Sequence, residues 1–560
     1  MRNMNKDIKP IILIAIFALA LSLPFLNKAY HIDDAAFIYV ADQIAKDPLR
    51  PYSFILEWGS KSGLATHILD TPLVSYYIAL ITWLFGRSEI ILHLSFIIFP
   101  VTAGISFYFI AKKLIRWPLT ATLIMLSTAI FLVSSQNLML DIPMLSLFLL
   151  AFALFTEGVD GGNHKLLFFG SFIAGAAYLA KPNAIFIIPL LLFYCFLKKK
   201  PRYMIYQLIP IAFIILFAVH NYYFEDRILI REYVPFLYGA KGNSIKVIIA
   251  YLFSNLSYIG GATIFTPFLL YPFVLKRKNA LLLPVSILVS FISSLMLYKS
   301  SSGFVSGQYS LLQISLFFIF TLSSLFFILL VLAENYANAK SGISSLLHFK
   351  NIKYDANKLF IFAWFIEMLA VNSIISGGAA KYDTLLLPPF ILSYFSIFEK
   401  HKKQPKSNPG RLLAFILFFT LLTGIAAAYA DYQYANSYRS FSNEAPKNYK
   451  TANNIVHFVG GGGFQYYMNE KGYRMLLVND NSPKKGDVII KARISFPRKM
   501  APELTKRLEL IGTVSYNSKI PVRTQNPAAH AGFYTYGGGF LPYSFSSASL
   551  ENFDIYRVKA

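Results

Sequence analysis

The sequence predicts a polytopic α-helical membrane protein of about thirteen transmembrane helices with a small C-terminal α/β domain. Three observations predict it. Of 560 residues, 56% are hydrophobic, more apolar surface than a soluble domain can bury. Apolar runs of roughly 15 to 25 residues recur along the first three quarters of the chain. From about Ala430 onward the composition turns polar and rich in Gly, Asn and Tyr, with no spanning run.

The runs lie at 9–27, 89–111, 118–136, 142–157, 166–180, 184–197, 204–222, 246–275, 280–297, 309–332, 358–376, 384–398 and 411–429. The first has a basic n-region (Arg2, Lys6, Lys9) and no small-residue cleavage site, so it reads as a retained signal anchor. The formal net charge of +24 does not point to nucleic acid, because the basic residues sit in short runs between apolar segments. Lys112, Lys113 and Arg116, then Lys198 to Lys200 and Arg202, then Lys276 to Lys278, then Lys400 to Arg411 fall on the side of the N-terminus if the count holds. That side is expected to be cytoplasmic.

One run, Thr71 to Gly86, could be a further span, but counting it would break this charge pattern. It is short and opens with Pro72, so it reads as a re-entrant or interfacial helix of the first outer loop. The outer segments are then 28–88, the turns at 137–141 and 181–183, the loop 223–245, and later segments near 298–308 and 377–383. Residues 1–429 form the membrane domain and 430–560 an outer α/β domain, with strands at Asn454–Val459, Arg474–Val478, Asp487–Ala492 and Leu508–Val514 and a helix at Phe464–Lys471. The single Cys195 excludes an intrachain disulfide.

The chain's polar chemistry gathers on the outer side. Asp33 and Asp34 adjoin in His31-Ile32-Asp33-Asp34, where two like charges raise one pKa unless a cation compensates. One reading is a general base for an acceptor hydroxyl; the other is an N-cap for a helix starting at Ala35. Asp141 stands at the outer end of two spans before Pro143, either functional or an interfacial cap. Lys181 lies in an outer turn where a cation is disfavoured, suited to a lipid phosphate or else a snorkelling lysine. Arg231, Lys241 and Lys381 share that ambiguity, and Lys381-Tyr382-Asp383 is the most suggestive of them.

His31, Glu57, His67 and Asp70 scatter without a metal-motif spacing, so no metal site is assigned and a divalent ion stays open as a cofactor. The Gly460–Gly463 run lacks a phosphate-loop or dinucleotide pattern and reads as a flexible turn. Tyr534–Tyr543 reads as an aromatic loop packed on its own domain, or as a carbohydrate platform.

The order of these features resembles a family: a basic N-terminus, one span, an acidic pair, a Pro-led aromatic helix ending Phe85-Gly86, Lys112-Lys113-Leu114, Asp141-Ile-Pro143, Lys181-Pro182 and Lys381-Tyr382…Pro388. It looks like the GT-C membrane glycosyltransferases, in the branch of protein O-mannosyltransferases and the lipid A aminoarabinose transferase, over about residues 1–400. The resemblance implies a polyprenyl-phosphate sugar donor, a lipid, glycan or protein acceptor, and an active site on the outer face of the cell's plasma membrane. It carries the catalytic base to Asp33, a second acid to Asp141, and phosphate-binding roles to Lys181, Lys381 and Tyr382. The pair is Asp-Asp where the family has Asp-Glu; Asp34 is counted with Asp33 and Asp141 among the expected catalytic acids, without a defined part.

A transporter or flippase of lipid-linked sugars is the alternative, with Glu367 as its mid-span acid. A non-catalytic binding protein is the third. A transferase core is expected to keep donor hydrolysis when residues from about 430 are deleted.

Overall fold

A computed structural model describes residues 4–58, 61–65, 71–227, 245–264, 281–299, 308–348, 354–374, 378–401, 409–444, 446–450 and 454–559. His67, Asp70, Arg231 and Lys241 lie outside the described residues.

The first helix, α1 (Met4–Ser22), ends where Pro24 removes a backbone donor and the chain tightens into a 3₁₀ turn at Leu23–Phe25. Helix α2 (Asp34–Lys46) carries the acidic pair at its start. A hairpin of β1 (Ile55–Trp58) and β2 (Lys61–Leu64) follows it. The ambiguous apolar run forms α3 (Leu73–Phe85), stopped by Gly86 at φ +82°, a conformation that glycine adopts freely.

The second predicted span is two helices, α4 (Glu89–Phe96) and α5 (Ile98–Leu114), and the third is α6 (Pro118–Ser127) and α7 (Ala129–Ser134). Thr128 separates the latter two because its hydroxyl caps α7, accepting the Phe131 N–H at 3.3 Å. Next come α8 (Asp141–Gly161), closed by Gly162 in the left-handed region, and α9 (His164–Ala180), capped by Asn163. Helices α10 (Ile187–Leu197), α11 (Leu208–Phe224), α12 (Ile245–Ala262), α13 (Leu282–Lys299), α14 (Leu311–His348), α15 (Ala356–Ile374), α16 (Leu387–His401) and α17 (Pro409–Glu444) complete the bundle.

The described parts of the predicted runs fall mainly on helix, residues 265–275 of the eighth run lying outside the described residues, and six helical stretches among the described residues are long and apolar enough to cross a membrane. Many of their outward residues are large and apolar, including Ile12, Ile16, Leu216, Met296 and Phe418. Such a surface needs lipid rather than water.

Ion pairs gather Lys112, Lys113 and Lys400 at one end of the bundle, while Lys276, Arg277 and Lys278 lie outside the described residues. Lys112 meets Asp7 at 2.6 Å, Lys113 meets Glu157 at 2.7 Å, and Lys400 meets Glu334 at 2.5 Å. The Asp7–Lys112 pair joins the start of α1 to the end of α5, so the two helices run antiparallel. Helix α3 (Leu73–Phe85) comes between them in the chain. It lies against α2 and leaves Leu80, Trp83, Leu84 and Phe85 exposed.

The compositional change at Ala430 falls inside α17, which runs unbroken to Glu444. Beyond it, β3 (Val456–Val459), β4 (Arg474–Met475), β5 (Val488–Ala492), β6 (Leu508–Tyr516) and a last strand (Glu551–Val558) form one five-stranded mixed sheet. Its first three strands are parallel, and the last strand runs antiparallel between β5 and β6. Helix α18 (Gly462–Glu470) connects β3 to β4.

Two expectations are corrected here. The Gly460–Gly463 run is a close approach of backbones, not a flexible turn. A Cβ on Gly463 would stand 2.0 Å from the Tyr30 carbonyl oxygen, and one on Gly462 (φ +62°) 2.9 Å from that of Ile32. The Tyr534–Tyr543 loop packs on the helical bundle, not on its own sheet. Tyr258 Oη donates to the Gly539 carbonyl and Tyr543 Oη to that of Gly261, each at 2.9 Å, and His530 stacks on Tyr309. Residues 521–545 are therefore a strap bound to the helices; its aromatic residues carried no sign of which surface they would cover.

Candidate active site

The site forms at the end of the bundle opposite the basic clusters. Asp33 is the residue before α2, yet its side chain makes no capping hydrogen bond. It pairs instead with Lys381 Nζ at 2.7 Å. Lys381 lies in the 3₁₀ turn Ala380–Leu385 between α15 and α16, and its own N–H donates to the Phe533 carbonyl of the strap at 3.2 Å. Burial opposes the charge on Lys381, but the Asp33 carboxylate together with Tyr382 and Asp141 outweighs it and holds the pKa above the usual lysine value.

A second pair stands beside the first. Asp141, at the first turn of α8, meets Lys181 Nζ at 2.5 Å; Lys181 ends α9, so it is not a lysine reaching out to water. The two ammonium groups share one ring: Lys181 lies 4.6 Å and Lys381 5.6 Å from the centroid of Tyr382. Of the four charged side chains, Asp33 is the most open at 24% exposure, against 4% for Asp141.

Asp34 is different. It is fully buried, and its oxygens accept the N–H groups of His31 and Leu138, both at 2.8 Å. Burial pushes its pKa up to about 7, against those two donors. The carboxylate ties the turn before α2 to the 137–141 turn before α8. Between Tyr30 and Asp33 the backbone is strained, with Ile32 at φ +44°, a region that a β-branched residue rarely enters. The Tyr30 N–H donates to Tyr467 Oη of α18 at 2.8 Å, and Gly462 and Gly463 press on the same turn.

Behind the site lies a buried network that the sequence reading did not single out. Lys28 Nζ donates to Asp431 Oδ2 at 2.6 Å and to Asn137 Oδ1 at 2.7 Å. Tyr534 Oη donates to Asp431 Oδ2 at 2.6 Å and accepts from Asn137 Nδ2 at 2.8 Å, while Thr524 donates to Asp431 Oδ1. The available signal was a lone acid in the apolar Tyr429-Ala-Asp431-Tyr and a lysine directly after the first run. His31 sits among Tyr434, Tyr438 and Tyr534, with Nε2 3.5 Å from Asp431 Oδ1.

Glu57 lies on β1, apart from His31. Among the described residues no three His, Cys, Asp or Glu side chains gather as metal ligands. Glu367 lies mid-helix on α15.

The site therefore brings Asp33, Asp141, Lys181, Lys381 and Tyr382 together and sets Asp34 to fastening. Two cations, each neutralised by a carboxylate, can exchange that partner for an entering anion. No curated protein matches the chain by sequence. Solved structures with similar backbones include ArnT from Cupriavidus metallidurans bound to undecaprenyl phosphate, at 12% identity and a TM-score of 0.39 over 90% of this chain and 96% of that one. The archaeal oligosaccharyltransferase AglB from Archaeoglobus fulgidus, with an inhibitory peptide and a dolichol-phosphate, is 14% identical with a TM-score of 0.44 over 84% of this chain and 64% of that one. At these scores the likeness carries nothing further. Residues 70–223, the segment bearing Asp141 and Lys181, match the family model for dolichyl-phosphate-mannose-protein mannosyltransferase. That segment, about a quarter of the chain, is similar to this family of membrane mannosyltransferases.

Proposed function

We propose that the protein transfers a sugar from a polyprenyl-phosphate donor to an acceptor hydroxyl on the outer face of the cytoplasmic membrane, with Asp33 as general base. The observation that carries this reading is the pair of lysines flanking Tyr382, each held by a carboxylate, with Asp33 the most open of the four. The family match adds the donor class, since its description names a dolichyl-phosphate sugar. The clustering of basic residues at the far end of the bundle supports an outward-facing site.

In the reaction the donor phosphate docks against Lys181 and Lys381 and takes over the cations. Lys381 then leaves Asp33 free to accept a proton. The acceptor oxygen bonds to the anomeric carbon as its proton passes to Asp33. The bond from that carbon to the phosphate oxygen breaks, and its electron pair leaves with the polyprenyl phosphate. The two ammonium groups stabilise the negative charge gathering there. Attack opposite the leaving phosphate inverts the anomeric centre. Asp34 holds the turn that aims Asp33 and does not touch a reactant.

The test compares Asp33→Asn with Asp34→Asn in detergent, using a polyprenyl-phosphate sugar. Asp33→Asn is expected to stay folded and lose transfer by roughly 10²- to 10⁴-fold. Asp34→Asn offers one acceptor where two backbone donors wait, so it loses on the order of 1–3 kcal/mol of stability while its folded fraction turns over. Near-normal transfer by Asp33→Asn would sink the assignment.

A further inference from the structure

A cleft of about 350 Å³ opens between the second half of α2, β1 and α18. It lies on the helix that carries Asp33: Tyr39 and Lys46 follow that residue by about 9 and 20 Å of helical rise. Its walls come from three parts of the chain, which only the docked C-terminal segment brings together.

One wall holds an acceptor with no donor. Gln465 is 3% exposed; its Nε2 donates to the Glu57 carbonyl at 3.0 Å, while its Oε1 is buried without a hydrogen-bond partner. Rotating the amide would set two carbonyl oxygens against each other, so Glu57 fixes the orientation. An unpaired buried acceptor costs about 1–3 kcal/mol until a donor reaches it. Beside it Asn469 Nδ2 donates to Tyr39 Oη at 3.2 Å, which leaves the phenol hydrogen available to an incoming oxygen. Beneath Met475, Arg498 is 4% exposed, with Nε and Nη2 likewise lacking partners.

We infer that this cleft binds the sugar acceptor, a hydroxyl-rich glycan, alongside α2 and short of Asp33; the inference rests on the transferase reading above. A carbohydrate hydroxyl donates and accepts at one atom, which matches an orphan carbonyl, a phenol hydrogen and side-chain amides lining one cleft. Tyr39, Phe54 and Met475 supply apolar area for the faces of the rings. A peptide fits less well, because adding a strand to β1 needs its edge carbonyls, and Gln465 already occupies that of Glu57.

The experiment is saturation-transfer NMR on the full-length protein in detergent, with maltohexaose and chitohexaose as glycan probes and an Ala-Ser decapeptide as the peptide probe. Saturation is expected to reach at least one hexaose and to fall at least tenfold in Gln465→Met, which keeps the volume and removes the amide. Asp33→Asn is expected to bind the hexaose as wild type does. Transfer to neither hexaose, equal transfer in Gln465→Met, or preference for the decapeptide overturns the inference. None of these outcomes bears on the catalytic reading, which fails separately if Asp33→Asn still transfers sugar.

Discussion

Lys181 and Lys381 stand against the same aromatic ring, their ammonium nitrogens 4.6 and 5.6 Å from the centroid of Tyr382. Two like charges this close are tolerable because Asp141 and Asp33 each neutralise one of them. The arrangement holds two cations ready for an anion without leaving either one bare.

Removing one member of a buried pair costs more than removing both. Asp141→Asn or Lys181→Met alone is expected to lower stability by about 3–5 kcal/mol, and the double variant to recover most of that loss. The double variant should still bind polyprenyl phosphate at least tenfold more weakly, because the cation is gone. Thermal unfolding together with a phosphate-lipid competition assay reads both effects. Wild-type lipid binding by the double variant would remove Lys181 from the phosphate site.

Deleting residues 521–560 is expected to abolish donor hydrolysis, in contrast to the sequence expectation that a core ending near 430 keeps it. The deletion removes the Phe533 carbonyl that holds Lys381 and the Tyr534 hydroxyl that shares Asp431 with Lys28. Tyr534→Phe isolates the smaller part and should cost about 1–2 kcal/mol in thermal unfolding, since it leaves one N–H of the buried Asn137 amide unpaired and removes a charge-assisted donor to Asp431. Hydrolysis at wild-type rates by the truncated protein would show that the strap does not hold the site.

Glu551 gives the C-terminal sheet a pH dependence. It is fully buried and accepts the N–H groups of Arg493, Ile494, Ser495 and Asn552, yet burial outweighs them and pushes its pKa up to about 7 from 4.5. The folded state thus holds the proton more tightly than the unfolded one. The stability this group contributes is full below about pH 4.5 and is lost as pH rises through 7, by on the order of 3 kcal/mol. Glu551→Gln should flatten the wild-type fall in melting temperature between pH 5 and 7; an unchanged slope would place its cause elsewhere.

Periodicity and charge made the bundle legible, because apolar length and basic runs are local properties. The four charged residues around Tyr382 were also legible as candidates, as charges standing where charge is expensive. Their pairing was not. Asp33 and Asp34 are the same letter twice, and only the N–H of Leu138, which tertiary folding supplies, separates the fastening acid from the open one. Lys28 and Asp431 lie 403 positions apart, and no local pattern links them. A glycine run that packs against Tyr30 has the same composition as one that flexes.

The grip of Phe533 on Lys381 has a consequence for biosynthesis. Asp33 emerges from the ribosome 500 residues before Phe533, so the acid exists long before the lysine it pairs with is fixed in place. A chain still being inserted therefore has its residues for chemistry without their geometry. On the transferase reading proposed above, activity waits until Phe533 has been made and has docked on Lys381.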